Sequence, residues 1–227
     1  MIIYKKLYEF LNNNEKEEYN KLIDYTKISD NLTIDQIKDM CKEAENNNFC
    51  AVCILPQFVA TTRSFLKRSI KIAALIDFPK GESDTKYKID EIDTAIINGS
   101  EEIDVVINYK LVKNEEDHES LAEEIRKLTE YCHREGVIIK IIIEIGALNF
   151  QEIETICKLS TDADYIMTST GKLPNDDTFE NKIEKIKFMR KILPDEVKIK
   201  MSGGVRTLEQ AKDVLPFVDR IGTSSIF

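Results

Sequence analysis

The sequence predicts an α/β protein built as a single (β/α)8 barrel with eight parallel strands. Three observations predict it. Short strand-like runs alternate strictly with longer, charged, helix-patterned stretches, which calls for a parallel sheet covered by helices. Eight such runs fit into 227 residues, the size of one closed TIM-type barrel and short for two ordinary domains. An open doubly wound sheet usually shows a glycine-rich turn after an early strand, whereas the glycines here gather late, at Gly203-Gly204 and Gly222.

The predicted strands are Lys21–Thr26, Phe49–Leu55, Ile70–Phe78, Glu102–Asn108, Val137–Ile145, Ala163–Ser169, Val197–Ser202 and Arg220–Thr223. Between them, Thr33–Asn46 opens on the capping pair Thr33 and Gln36 and carries Ile34, Ile37 and Met40 at helical spacing. Lys86–Asn98 runs into Gly99 and Glu115–Glu135 into Gly136, the usual place for a helix-ending glycine. Phe150–Leu159, Thr178–Ile192 and Thr207–Val214 complete the helices, with a shorter one at Gln57–Lys67. No linker-like tract divides the chain. Residues 1–227 therefore read as one domain, with 1–20 an N-terminal helical extension.

An apolar share of 42% and a charged share of 32% are those of a globular protein. The net charge of -9 argues against nucleic acid or an anionic membrane as the partner, and leaves room for a small anion in a locally basic pocket. The N-terminus shows no signal-peptide pattern, and the longest apolar runs, Val137–Ile139 and Ile141–Ile143, are too short to span a bilayer. The cytoplasm is the expected location. Five scattered cysteines, Cys41, Cys50, Cys53, Cys132 and Cys157, form no disulfide framework. Cys50 and Cys53 lie three apart on a strand and point to opposite faces. With His118 and His133 as the available histidines, no metal site is expected.

Barrel sites lie at the C-terminal strand ends, so polar residues that interrupt apolar strands are the candidates. Asp24 and Thr26 share a face of strand one, Lys140 and Glu144 of strand five, Lys200 and Ser202 of strand seven; Asp77 closes strand three and Asp104 interrupts strand four. Asp104, Lys140 and Lys200 stand out, since a charge inside a covered parallel sheet must be paired or used. A lysine there is either a structural ion pair, with Asp104 or Glu144 as partner, or an amine of lowered pKa that forms a Schiff base with a carbonyl. Three late loops are suited to phosphate: Thr168-Ser169-Thr170-Gly171-Lys172, Ser202-Gly203-Gly204-Val205-Arg206-Thr207 and Gly222-Thr223-Ser224-Ser225. Their glycines let backbone N–H groups approach an anion, and their hydroxyls can donate too.

Asp24–Thr26 (DYT), Cys53–Pro56 (CILP), Phe78–Gly81 (FPKG), Ile103–Val106 (IDVV), Lys140–Glu144 (KIIIE), Thr168–Lys172 (TSTGK), Lys200–Arg206 (KMSGGVR) and Gly222–Ser225 (GTSS) together resemble the deoxyribose-phosphate aldolase family, in order and spacing, from about Lys21 to the end. The resemblance implies a class I aldolase without metal or other cofactor. Its substrate would be a small phosphorylated sugar, 2-deoxy-D-ribose 5-phosphate, cleaved reversibly to glyceraldehyde 3-phosphate and acetaldehyde. It implies that Asp104 helps proton transfer and that Lys200 is the second lysine, whose charge lowers the pKa of the reactive amine. Gly171, Lys172, Gly203, Gly204, Val205, Arg206, Gly222, Ser224 and Ser225 would surround the phosphate, with Asp24, Thr26, Cys53 and Thr168 around the rest of the substrate.

The family's Schiff-base lysine lies immediately before TSTGK, where this chain has Met167. A thioether fills the volume of a lysine stem but has no amine. Three explanations compete: Lys200 acts as nucleophile from the next strand; the chain is a silent phosphosugar-binding relative; or Met167 is an introduced substitution that holds substrate intact. The chain also stops at Ile226-Phe227, where the resemblance implies a closing helix and a tail tyrosine. The last helix is thus expected to be missing, with apolar surface on strands one and eight either exposed or covered by a partner chain in a homodimer.

Overall fold

The computed structural model describes residues 17–173 and 177–225. Its strands are β1 (Ile23–Thr26), β2 (Ala51–Ile54), β3 (Lys71–Ile76), β4 (Glu102–Val106), β5 (Ile138–Ile142), β6 (Tyr165–Met167), β7 (Lys198–Ser202) and β8 (Arg220–Thr223). They pair in sequence order, all parallel, and β8 returns to β1 through Asp24 opposite Gly222, so the barrel closes. Around it lie α1 (Ile34–Asn46), α2 (Val59–Phe65), α3 (Thr85–Ile97), α4 (His118–Arg134), α5 (Phe150–Leu159), α6 (Phe179–Ile192) and α7 (Leu208–Val214). The expected N-terminal extension is described only at 17–20, which are helical; the end at Ile226-Phe227 lies outside the described residues.

Local chemistry accounts for the helix boundaries. Thr33 accepts from the Gln36 N–H while the Gln36 side chain accepts from the Thr33 N–H, a reciprocal cap that starts α1. Asn149 with Glu152 and Thr207 with Gln210 do the same for α5 and α7. α3 and α4 stop before Gly99 and Gly136, whose φ values of +102° and +72° continue the chain in a conformation a helix cannot use.

The two-residue period of the strands sorts their side chains. One set, including Ile23, Val52, Ile72, Ile103, Ile141, Ile166, Ile199 and Ile221, packs outward in one cluster with the helices. Each such buried aliphatic side chain contributes about 1.5–3 kcal/mol. The other set points inward. Towards the C-terminal end of the barrel the inner set is apolar: Cys53, Leu55, Ala73, Leu75, Val106, Ile142 and Met167 form a second, separate cluster. Beneath it the inner set is charged.

Two expectations are corrected. β5 ends at Ile142 rather than Ile145, because Glu144 turns left-handed (φ +53°), so Lys140 and Glu144 do not share a strand face. Among the described residues the expected exposed seam along strands one and eight is absent: Ile23 is 1% and Ile221 0% exposed. β8 matches the expected strand, and the remaining strands match theirs with at most two residues trimmed from an end, where the ladder gives way to loop.

Candidate active site

Six ionic side chains fill the barrel interior. Lys200 Nζ lies 2.6 Å from Asp24 Oδ2 and 2.6 Å from Asp104 Oδ2. Lys140 Nζ lies 2.7 Å from Asp104 Oδ1, 2.5 Å from Glu102 Oε2 and 3.7 Å from Asp24 Oδ2. Arg220 closes the circuit, donating to Asp24 Oδ1 and, at 3.0 Å, to Glu102 Oε1. These contacts join strands that are not neighbours, β1 to β5 and β4 to β7 and β8, which only inward-pointing side chains can do. Three carboxylates meet three cations, so the layer is neutral. Lys140, Lys200, Asp24 and Asp104 are all 0% exposed.

Burial opposes every one of these charges, but the partners outweigh it. Burial pulls the Lys200 ammonium down, yet Asp104 and Asp24 hold it above the ordinary lysine value. Lys140 is raised in the same way by Asp104, Glu102 and Asp24 against its burial. Asp24 and Asp104 lie below the ordinary carboxylate value for the converse reason. The sequence left open whether these lysines are ion-paired or reactive; the geometry makes both ion-paired. Lys140 takes Asp104 as partner and not Glu144. Lys200 at neutral pH is a fixed ammonium, not a free amine.

Above this layer opens a cavity of about 380 Å³, within the usual range for small-molecule sites. Loops from β6, β7 and β8 meet there: Gly171 and Lys172, Gly203 to Arg206, and Gly222 with Ser224 all line it. Thr26, Cys53 and Met167 line it as well, together with Lys27, Leu75 and Phe78, which sequence reasoning did not single out. Of the other sequence-chosen residues, Asp24, Asp104 and Lys200 lie beneath the cavity. Thr168 is buried in the wall, its hydroxyl accepting from Ser202 N–H at 3.0 Å. Ser225 does not line the cavity; its N–H donates to the hydroxyl of Thr223, which does, at 3.0 Å.

The loops are held close together. A Cβ on Gly203 would stand 3.1 Å from Ser169 Oγ and 3.2 Å from the Gly171 Cα, so the β6 and β7 loops touch through glycine backbone. A Cβ on Gly222 would stand 2.3 Å from Ser202 Oγ and 3.1 Å from Lys200 Cε, so this position is kept bare to admit the Lys200 stem. Glu144 organises the β6 loop. It accepts from Ser169 Oγ at 2.6 Å, Thr170 Oγ1 at 2.7 Å and the Thr170 N–H at 3.0 Å. Among the described residues, no acceptor takes the N–H of Gly203 or Gly204. Free N–H groups, small residues and nearby Lys172 and Arg206 suit an anion.

Met167 forms part of the apolar floor, 4% exposed, and pairs in register with Lys200. Cys53 links floor to charge layer through a 3.3 Å contact from Sγ to Asp104 Oδ2; burial first, then Asp104, push its thiol well above the ordinary value. Among the described residues, no group of three or more His, Cys, Asp or Glu is arranged to hold a metal ion. Sequence reasoning missed Glu102 and Arg220, because a charge at the first residue of a strand usually faces solvent.

Comparison with known proteins points the same way as the geometry. Residues 19–221 match the model of the DeoC/LacD family aldolases. Deoxyribose-phosphate aldolase of Caldicellulosiruptor saccharolyticus is 38% identical over 216 residues, covering 92% of this chain and 96% of that one. Its counterpart in Treponema denticola is 39% identical over 213 residues, with the same coverage. Among solved structures, "QR15, an Aldolase" superimposes with a TM-score of 0.82 at 32% identity, covering 91% of each chain. A barrel of eight parallel strands, an anion-suited cavity over a buried lysine–aspartate layer, and a match along nine-tenths of its length lead to one assignment: the chain belongs to the DeoC/LacD family of aldolases.

Proposed function

We propose that the cavity binds 2-deoxy-D-ribose 5-phosphate and supports the reversible cleavage its relatives are named for, to glyceraldehyde 3-phosphate and acetaldehyde. The observation that carries this is the convergence of the β6, β7 and β8 loops on one cavity above Lys200 and Asp104. The phosphate would rest on the backbone of Gly171, Gly203 and Gly204, with Ser224 and Lys172 at its edge. The reacting end would then reach the floor formed by Met167 and Cys53. Retro-aldol cleavage breaks the C2–C3 bond and needs an electron sink at C1, which an imine to a lysine would supply; with Met167 beside it, that lysine would be Lys200, and it would first have to pass its proton to Asp24 or Asp104. In this reading Asp104, beneath the floor, would take up the proton that leaves the C3 hydroxyl. Five free cysteines fit a reducing compartment, and a cytoplasmic home is part of the proposal, as is the reading of 1–227 as one domain. A homodimer belongs to the proposal as well, although Ile23 and Ile221 are already buried within one chain; light scattering decides it.

Met167 and the locked Lys200 favour a second reading, a site that holds the sugar phosphate without cleaving it. Thermal unfolding with and without 2-deoxy-D-ribose 5-phosphate tests binding: saturation at about 100 times Kd should stabilise by ~2.7 kcal/mol. Assay of glyceraldehyde 3-phosphate separates the readings. Release of product selects the aldolase, and stabilisation without release selects the silent site. Absence of any stabilisation would remove both.

A further inference from the structure

We infer that Lys182, on the first turn of α6, is a positioning residue for the anion of the bound ligand: it fixes the Gly203-Gly204 peptide with its N–H turned into the cavity. The inference rests on the reading that a phosphorylated sugar occupies that cavity. Lys182 Nζ donates to the Gly203 carbonyl oxygen at 3.2 Å and lies 3.8 Å from where a Gly204 Cβ would stand. A trans peptide is planar, and its C=O and N–H point to opposite sides. The Gly203 carbonyl faces α6, so the Gly204 N–H faces away from α6. Gly204 lines the cavity, and no acceptor among the described residues takes its N–H.

The turn needs such a lock. Gly203 and Gly204 have φ values of +76° and +118°, and without side chains the peptide between them has little else to stop it rotating. An ammonium on the carbonyl side also polarises the peptide, making its N–H a stronger donor to an anion. The lysine is presented from an anchored turn. The Thr178 hydroxyl accepts from the Asn181 N–H, and Lys185 Nζ donates to the Ile145 carbonyl at 2.9 Å and to Asp177 Oδ2 at 2.6 Å. Lys185 is thereby committed to the helix footing, whereas Lys182, half-buried, is committed to the glycine turn.

Calorimetric titration of the full chain and of Lys182→Met and Lys182→Arg tests this, with 2-deoxy-D-ribose 5-phosphate and unphosphorylated 2-deoxyribose as probes. Lys182→Met should weaken the sugar phosphate about tenfold, the loss of one charge-assisted hydrogen bond, and leave the unphosphorylated sugar unchanged. Lys182→Arg should recover most of the loss. At equal saturation with sugar phosphate, the Gly204 amide resonance should move in the parent and the arginine variant and move much less in the methionine variant. Equal affinity of parent and Lys182→Met for the sugar phosphate overturns the inference and leaves the proposed function standing. Equal weakening for both sugars overturns it too, since that marks general damage. A parent that binds no sugar phosphate removes the proposed function and this inference with it.

Discussion

Replacing Met167 with lysine puts the chemistry of the site to its hardest test. The side chain at 167 is 4% exposed among Cys53, Leu75, Val106 and Ile142, level with Lys200 on the next strand. An amine placed there by Met167→Lys would meet apolar atoms on most sides and a fixed ammonium on another. Both disfavour its charged form, and together such effects lower buried lysines by as much as ~3–5 pKa units. Each unit multiplies the free amine present at neutral pH about tenfold. At neutral pH the amine should therefore be free at least ~100-fold more often than an ordinary lysine's, taking two units as the lower bound, and release of glyceraldehyde 3-phosphate should rise clearly above the parent's. The cost is one unpaired buried amine, about 1–3 kcal/mol, or a melting temperature lower by roughly 2–12 °C for a chain this long. A coupled triose-phosphate assay reads the rate. Borohydride with acetaldehyde should leave a two-carbon adduct on the peptide that carries position 167. If the variant folds and binds the sugar phosphate yet neither cleaves it nor traps an adduct, the layer beneath is not an aldolase's acid–base machinery.

Other outcomes follow from the same geometry. Lys200→Met leaves three buried carboxylates facing two cations and should cost about 3–5 kcal/mol in urea unfolding, part of it recovered by adding Asp104→Asn; a loss under 1 kcal/mol would show the layer to be hydrated. Gly222→Ala forces a methyl to within 2.3 Å of Ser202 Oγ and should destabilise by about 1–3 kcal/mol while weakening sugar-phosphate binding; unchanged calorimetric affinity would separate this loop from the anion. Unfolding midpoints against pH should form a plateau. Asp24 and Asp104 are depressed, so their contribution is complete above about pH 5 and is lost as pH falls below the ordinary carboxylate range. Lys140 and Lys200 are raised, so theirs is complete below about pH 10 and is lost as pH rises beyond it. A step between pH 6 and 8 would mean another group governs stability.

Much of this was readable beforehand, for identifiable reasons. Strand–helix alternation and helix caps are local, so the barrel and the start of α1 at Thr33 follow from nearby residues. The glycine loops were legible because few residues other than glycine suit tight turns near an anion. Pairing across a barrel is not local. Nothing near Arg220 or Glu102 tells that β8 and β4 present them to each other. Glu144 was misplaced because Ile143 and Ile145 prolong the strand pattern, while capture of the Ser169-Thr170 loop turns the backbone out of it. Lys182 is one of several lysines on α6, and only the approach of the Gly203 carbonyl distinguishes it.

The exact cancellation of charge beneath the cavity has a consequence for how such a chain can change. Because the six ionic groups balance without help from position 167, an amine can be lost or regained there and the barrel keeps its electrostatic account closed. The covalent step and the charge balance beneath it thus depend on different positions. A substitution at 167 can therefore alter what the cavity offers a ligand while the charges beneath it stay paired.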